Sequence, residues 1–398
     1  MALDNGPASS GDAREVVAEL RQRLLDRALP IEQRIRALFS LRNLKGDTPQ
    51  QALIEAMEDK SVLLAHEAAF ALGQMGDVFS VPALTRVLED PSYHPIVRHE
   101  AAEALGAIGE ASSLPLLQTY LADPAPEVRE TCELAVRRLQ DTLAAAEEGR
   151  EGERKGEGKR RGKGGGGGEG EGKRFMSVDP AGSAPKNAST EELRKLLLQE
   201  DANMYDRYGA LFALRDKAAA TSNAGDAAAG AGGGGDSGGA GAAGAGGGGD
   251  SGGAGAAGAG GGGDSGGAGG SSGASFASEA VTAIVEALET CTSALLRHEI
   301  AYVLGQLQNK TAAQALVRAL QDTSCHAMVR HEAAVALGSV ADPLTLQLLR
   351  EFQKDPDPIV AESCDVALDL MRFELQQMLF SMQTFWSRQL TTLIITTL

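Results

Sequence analysis

The chain has 398 residues, with 37 Lys or Arg against 54 Asp or Glu, and its formal net charge is −17. Such an acidic chain lacks the basic surface that nucleic-acid binding requires, so no nucleic-acid partner is expected. No apolar run of about 18 residues and no apolar signal segment occur, so neither a membrane span nor secretion is predicted. The four cysteines form no disulfide or zinc-binding pattern, and a cytoplasmic protein is expected.

Outside two glycine-rich tracts, the chain is rich in Ala, Leu, Glu, Gln and Arg, a composition typical of helices. Helix pairs are predicted in an N-terminal half, 1–145, and in a C-terminal half, 177–373. A flexible charged and Gly-rich linker is predicted over 146–176, and a disordered insertion with the repeat "GGGGDSGGAGAAGA" over about 217–275. These tracts have almost no apolar side chains to bury. A divergent, apolar tail follows over 374–398.

One dipeptide, His-Glu, recurs in both halves. It occurs at His66, His99, His298 and His331, and the two copies within each half lie 33 residues apart. Weaker copies of the surrounding frame cover 31–46, 127–141, 204–217 and 359–373. An offset of 232 residues relates the copies in one half to those in the other. A period in the low thirties with two helices per unit predicts an all-α fold, an α-solenoid of eight helix pairs in two four-repeat halves.

The ends of the second helices are marked by proline and glycine. One such helix is predicted to begin at Pro95 and to end before Gly109, and the preceding one to end before Gly76. His94 and His326 precede two of these helices and are interpreted as turn residues at their N-termini, with a position that supports a metal ligand as the alternative. In the second unit the predicted core stripe consists of Leu64, Ala68, Ala71, Leu72 and Met75.

The four His-Glu pairs lie off the apolar stripes, so they are predicted to project from an exposed face or into a concave groove. Four imidazoles and four carboxylates without a thiolate suit iron or manganese better than structural zinc. Two His and one carboxylate leave positions on ferrous iron open for dioxygen. If the halves face each other, two ions about 3.5–4 Å apart are expected. Six ligands would then be used, and two carboxylates would remain for a cationic substrate.

The frames around the His-Glu pairs, such as "VRHEAAEALG" and "LRHEIAYVLG", resemble the deoxyhypusine hydroxylase family, as do "RALFSLRNL", "AYVLGQLQ" and "SVDPA". The resemblance covers about 30–145 and 175–373, apart from the insertion. It implies HEAT-like helix pairs and a di-iron monooxygenase that hydroxylates the deoxyhypusine side chain of one translation initiation factor, completing hypusine. Two Fe(2+) ions per chain, O2 as co-substrate and an external reductant are implied with it.

The resemblance also implies roles for individual residues. Two ligand sets are implied: His66, His99 and Glu100 for one iron, and His298, His331 and Glu332 for the other. Glu67 and Glu299 would then bind the amines of the deoxyhypusine chain, and this division among the carboxylates comes from the family. An acidic groove suits such a polycationic side chain.

Two other functions remain open from the sequence. Polar pairs on solvated helix faces can be copied while solenoid repeats diverge, and a non-catalytic HEAT scaffold would then result. A bilin-lyase-like HEAT protein also has repeats of the form "VR-x-x-A-x-x-ALG", but it does not require His before Glu in two units of each half. The iron content of the protein distinguishes the hydroxylase from a scaffold.

Overall fold

The computed structural model describes residues 10–155, 178–184, 187–230 and 272–397. These residues contain sixteen α-helices and no strand, in agreement with the predicted all-α class. The helices are α1 (Ser10–Leu25), α2 (Ile31–Arg42), α3 (Asp47–Ala56), α4 (Val62–Met75), α5 (Val81–Glu89), α6 (Pro95–Ile108), α7 (Leu114–Thr119), α8 (Pro126–Lys155), α9 (Thr190–Leu198), α10 (Met204–Gly230), α11 (Ser272–Thr290), α12 (Ala294–Leu307), α13 (Ala313–Gln321), α14 (Ala327–Val340), α15 (Leu346–Phe352) and α16 (Pro358–Thr397). Short 3₁₀ turns precede α5, α7, α13 and α15, and another lies between α7 and α8.

The helices pack as consecutive pairs, and the even-numbered ones form the inner layer. Each odd-numbered helix contacts the even-numbered helix that follows it. The even-numbered helices also contact one another in sequence along each half. At the two junctions between halves, α8 contacts α10 and α12, and α16 contacts α2 and α4. The inner layer therefore closes on itself, and side chains that project from it meet in the centre.

Glycines allow the inner helices to approach closely. A Cβ added to Gly73 would lie 2.9 Å from the Cα of Ala104, which belongs to the next unit. Gly338 shows the same relation to Ala367, where a Cβ would lie 2.7 Å from the backbone. These contacts explain the "LG" dipeptide of the repeat, because a larger side chain would push neighbouring units apart.

Buried arginines join neighbouring helices, a feature that the sequence patterns did not predict. Arg98 donates through Nε to the carbonyl oxygen of Leu88 at 3.0 Å and through Nη2 to Oδ2 of Asp123 at 2.6 Å. Arg34 pairs with Asp59 at 2.7 Å, and Arg330 pairs with Asp355 in the other half. The arginine in "VRHE" therefore fixes the helix that carries the next two residues.

The ends of the inner helices follow the predicted pattern in one half and depart from it in the other. Gly76 and Gly109 follow α4 and α6 with φ of 67° and 77°, as their positions predict. In the C-terminal half, Gln308 and Ala341 take the same left-handed conformation, with φ of 49° and 53°. A Cβ makes this conformation unfavourable, so these two helix ends are strained.

Replacing Ala341 with glycine is expected to raise the free energy of unfolding by about 0.5–1 kcal/mol, because glycine removes the penalty of positive φ. Urea unfolding monitored by circular dichroism measures the change. Ala333→Gly, in the middle of α14, is the matched control and should lower stability by about 1 kcal/mol. A loss of stability in Ala341→Gly would contradict the interpretation.

Helices continue into the edges of both glycine-rich tracts. α8 continues to Lys155, within the predicted linker, while α10 continues to Gly230 and α11 begins at Ser272, within the predicted insertion. The predicted boundaries at 146, 217 and 275 are therefore not helix ends, and the rest of both tracts, 156–177 and 231–271, lies outside the described residues. The predicted tail from 374 continues α16 without a break in the backbone. No helix in the described part of the chain is both long and apolar enough to cross a membrane.

Candidate metal centre

Four inner helices present the His-Glu pairs in the same way. α4, α6, α12 and α14 each have 14 residues, and the histidine of the pair is the fifth residue in each. The N-cap side chains fix where these helices begin. His94 and His326, predicted as turn residues at helix N-termini, are the N-caps of α6 and α14. Their Nδ1 atoms accept from the backbone N–H of Ile96 and Met328 at 3.2 Å. Equivalent starts therefore place equivalent side chains toward the centre.

The N-cap serines of α4 and α12 also connect the two halves. Ser61 donates to Oε2 of Glu362 at 2.5 Å, and Ser293 donates to Oε2 of Glu130 at 2.7 Å. These contacts are related by the 232-residue offset. They hold the first turn of each helix against the opposite half, so the histidines one turn later face each other.

The four imidazoles meet between the halves. The ring centroids of His66 lie 5.6 Å from His99, 6.0 Å from His298 and 5.3 Å from His331. The rings of His298 and His331 lie 5.2 Å apart. All four residues are buried, and His99 and His331 are 0% exposed. The sequence left two locations open for the histidines, an exposed face and a concave groove. The structure places them in the enclosed space between the halves.

The carboxylates surround this cluster unequally. Oε2 of Glu100 lies 3.1 Å from Nε2 of His66 and 3.9 Å from Nε2 of His99, so the first implied ligand set is brought together. Oε2 of Glu332 lies 3.7 Å from Nε2 of His298. The second compact group of three, however, consists of His66, His298 and His331, whose ligand atoms lie within 4.8 Å of one another. His66 therefore belongs to both groups, because it projects between the halves.

Several of the buried imidazole nitrogens have no hydrogen-bond partner among the described residues. These atoms are both ring nitrogens of His331, and Nε2 of His99 and of His298. The ring nitrogens of His66 lie near carboxylates instead, Nε2 at 3.1 Å from Glu100 and Nδ1 at 3.8 Å from Glu67. Nδ1 of His99 has a partner, the hydroxyl of Thr131 at 3.4 Å. A buried nitrogen without a partner is costly, and a bound metal ion commonly accepts the lone pair of such an imidazole nitrogen. The donor set of imidazoles and carboxylates therefore fits a metal centre.

Burial keeps the imidazoles of His99, His298 and His331 neutral, whereas the carboxylates beside His66 favour its charged form. Burial and repulsion from His66 lower the pKa of His298 to about 3 and lower the pKa of His99 well below its usual range. Burial disfavours the imidazolium of His66, but Glu100 and Glu67 outweigh it and raise its pKa to about 10. Burial and the neighbouring Glu67 raise the pKa of Glu332. Neutral imidazole is the form that binds metals, and the crowded carboxylates attract cations.

A cavity of about 810 Å³ opens onto the imidazole cluster. Both halves line it, and its aromatic wall includes Phe70 and Tyr302, whose rings meet edge to face at 6.0 Å. Glu67 and Glu299, the two carboxylates outside the implied ligand sets, also line it. A buried ligand cluster beside a partly apolar cavity with several carboxylates suits a flexible ligand with cationic groups.

Four further acidic residues of the cavity were missed from the sequence, namely Glu32, Glu103, Asp179 and Asp369. Glu103 lies one helical turn after Glu100, a spacing that places both on one helix face and would have identified it. Asp179 belongs to the phrase "SVDPA", and Arg215 donates to both of its carboxylate oxygens at 2.8 Å. No spacing rule connects Asp179 to the site, because tertiary packing brings it there.

The fold and the site define an α-solenoid protein of the HEAT class that encloses a candidate metal centre between two halves. A model of the HEAT-repeat family matches residues 51–137 and 281–369. Deoxyhypusine hydroxylase-B of Oryza sativa subsp. japonica is 48% identical over 356 residues, which are 89% of this chain and 92% of that protein. Deoxyhypusine hydroxylase of Arabidopsis thaliana is 47% identical over 89% of this chain and 90% of that protein. The chain therefore belongs to the deoxyhypusine hydroxylase family, as its sequence frames predict.

A solved structure agrees with this assignment. The structure of human deoxyhypusine hydroxylase in complex with glycerol has 36% sequence identity to this chain and a TM-score of 0.69. The match covers 92% of this chain and all of that one. The predicted HEAT-like solenoid fold is thereby confirmed.

Proposed function

We propose that the protein is a deoxyhypusine monooxygenase that hydroxylates the deoxyhypusine side chain of a translation initiation factor. The observation that carries the proposal is the cluster of four buried histidines, three of them with unpartnered ring nitrogens, beside an acidic, partly aromatic cavity. The family membership of the chain supports the same reaction. A scaffold would have no reason to bury both nitrogens of His331 and Nε2 of His99 and of His298 without hydrogen bonds, since each such group costs about 1–3 kcal/mol.

The proposed cofactor is a pair of Fe(2+) ions. His66, His99 and Glu100 would hold one ion, and the C-terminal histidines with Glu332 would hold the other. When bound, ferrous ions of this kind supply the chemistry that activates dioxygen. The reaction places one oxygen atom of O2 in a C–H bond of the chain and converts the other to water. Two electrons and two protons are consumed, so an external reductant is part of the proposal.

The side chains of the cavity would bind and orient the substrate. Glu67 and Glu299 would bind its amines, because both line the cavity and a carboxylate near an ammonium is favourable at low dielectric. The faces of Phe70 and Tyr302 would contact the methylene groups between the amines. Complete burial of His99 and His331 would exclude bulk water from the reacting carbon.

Elemental analysis and a hydroxylation assay test this function together. Iron-replete protein is expected to contain about two irons per chain, one for each facial set of ligands, and to hydroxylate a deoxyhypusine-bearing factor with O2 and a reductant. Glu67→Ala should keep its iron while substrate binding weakens by roughly 2–5 kcal/mol, because a buried ammonium loses its partner.

Three results would decide against parts of the proposal. An iron content near zero would favour a non-catalytic scaffold. Iron without hydroxylation of the factor would exclude this substrate. Loss of iron in Glu67→Ala, with retention in Glu100→Ala, would mean that the two carboxylates have exchanged roles.

A further inference from the structure

The cavity has a carboxylate in one half that the other half lacks. The 232-residue offset maps α6 onto α14, so that His99 corresponds to His331 and Glu100 to Glu332. One turn later the correspondence fails, because Glu103 corresponds to Val335. Both positions line the cavity. Glu103 is therefore a cavity carboxylate of the N-terminal half whose C-terminal counterpart is apolar, although the His-Glu pairs are duplicated.

Glu103 acts on a carboxylate of the opposite half. Glu299 on α12 is 5% exposed and has no hydrogen bond or ion pair with any residue that the structure describes. Glu103 and Glu299 both line the cavity, and burial, followed by the carboxylates of Glu103 and Asp179, raises the pKa of Glu299. A buried carboxylate without a partner is costly, and a second carboxylate beside it increases the cost. The pair is therefore suited to a cationic group that enters the cavity.

Neighbouring cations of the protein only partly balance this end of the cavity. Arg138 is half-buried and acts on Glu103, while Arg215 is held by Asp179. Tyr302 lies one turn after Glu299 on α12 and adds an aromatic wall. Two carboxylates without an imidazole are too few ligands for a metal ion, whereas carboxylates beside aromatic rings suit an alkylammonium.

We propose that Glu103 and Glu299, one from each half, form a subsite for a single ammonium group, and that Glu103 determines which end of the substrate chain lies there. The inference rests on the proposed function, in which the substrate chain carries two amines. Val335 at the equivalent position cannot bind an ammonium. The chain is therefore bound in one orientation, with its terminal amine between Glu103 and Glu299.

The experiment compares two peptides on the iron-loaded protein without oxygen. One peptide carries deoxyhypusine, and the other carries the same side chain with a methyl group in place of the terminal amine. Glu103→Gln is expected to weaken binding of the first peptide about tenfold or more and to leave binding of the second unchanged. Glu89→Gln, at the exposed end of α5, is the matched control and should change neither affinity. Iron content, measured on the same samples, should equal that of the unaltered protein.

A double-mutant cycle tests whether the two carboxylates share one ammonium. If they do, the double variant Glu103→Gln, Glu299→Gln weakens binding of the first peptide by less than the product of the two single effects. Independent, multiplicative effects would overturn the shared subsite. If Glu103→Gln lowers the affinity for both peptides equally, or lowers neither affinity, the proposed role of Glu103 is overturned.

Failure of the proposed function has a different signature. If the unaltered protein does not hydroxylate the deoxyhypusine peptide, spermidine serves as the probe, because it carries an aminobutyl group of the same kind. Spermidine binding that falls about tenfold in Glu103→Gln still supports the ammonium subsite. Spermidine binding that is equal in both proteins, or absent from both, would overturn it.

Discussion

Replacing His66 with alanine is expected to lower the iron content more than His331→Ala does. The change removes a proposed ligand of one iron and also an imidazole within 4.8 Å of the ligand atoms of His298 and His331. The ring nitrogens of His66 belong to both compact groups of ligand atoms, while His331 belongs to one. Loss of a residue that only hydrogen-bonds to a metal ligand reduces metal affinity about 10–100-fold. Loss of a direct ligand is therefore expected to reduce the affinity for its ion at least about 100-fold. Iron per chain, measured after dialysis against a weak chelator, gives the result.

His94→Ser is the matched control for the histidine variants. His94 caps α6 through a side-chain acceptor and lies outside both groups of ligand atoms, and serine can supply the same acceptor. Its iron content should equal that of the unaltered protein. If His66→Ala and His298→Ala instead lose the same amount of iron, the two ligand sets are symmetric and His66 does not connect them.

Asp123→Ala is expected to lower the free energy of unfolding by about 3–5 kcal/mol, because it leaves the guanidinium of Arg98 buried without its partner. Arg98 and Asp123 are each 6% exposed, and the carboxylate oxygens accept from Nη1 and Nη2 at 3.3 and 2.6 Å. Arg98 directly precedes His99, so the same change should loosen the helix that carries two of the implied ligands. Urea unfolding monitored by circular dichroism measures the loss.

Two controls separate the buried charge from other effects. Arg98→Met combined with Asp123→Leu replaces the pair with apolar groups and should be much more stable than Asp123→Ala alone. Glu19→Ala removes the exposed partner of Arg23 and should cost less than about 1 kcal/mol. A loss below about 1 kcal/mol in Asp123→Ala would show that water or a rearranged side chain solvates Arg98.

Much of the candidate site could be predicted because it is repeated. The 33-residue spacing of the His-Glu pairs places each histidine at the same point of an equivalent helix. The structure has each one at the fifth residue of α4, α6, α12 or α14. His94 and His326 could be predicted as helix caps because of their position before Pro95 and Ala327. Local rules of this kind depend on a few neighbouring residues and hold wherever the helix forms.

Other features of the site depend on residues far apart in the chain. Glu103 and Glu299 line one cavity from helices of opposite halves, and Arg98 pairs with a residue 25 positions later through a turn. The left-handed ends at Gln308 and Ala341 carry no glycine to mark them. None of these leaves a periodic signal, so sequence patterns could not predict them.

The sequence by itself determined the helix pairs, their period and the two halves, because apolar spacing and helix-end residues act locally. It also determined which side chains are duplicated. Only the tertiary structure decided how the halves face each other, through Ser61 with Glu362 and Ser293 with Glu130. That arrangement makes His66 common to both groups of ligand atoms. It also leaves Glu103 without an acidic counterpart in the other half, because two similar halves need not pack symmetrically where a side chain differs.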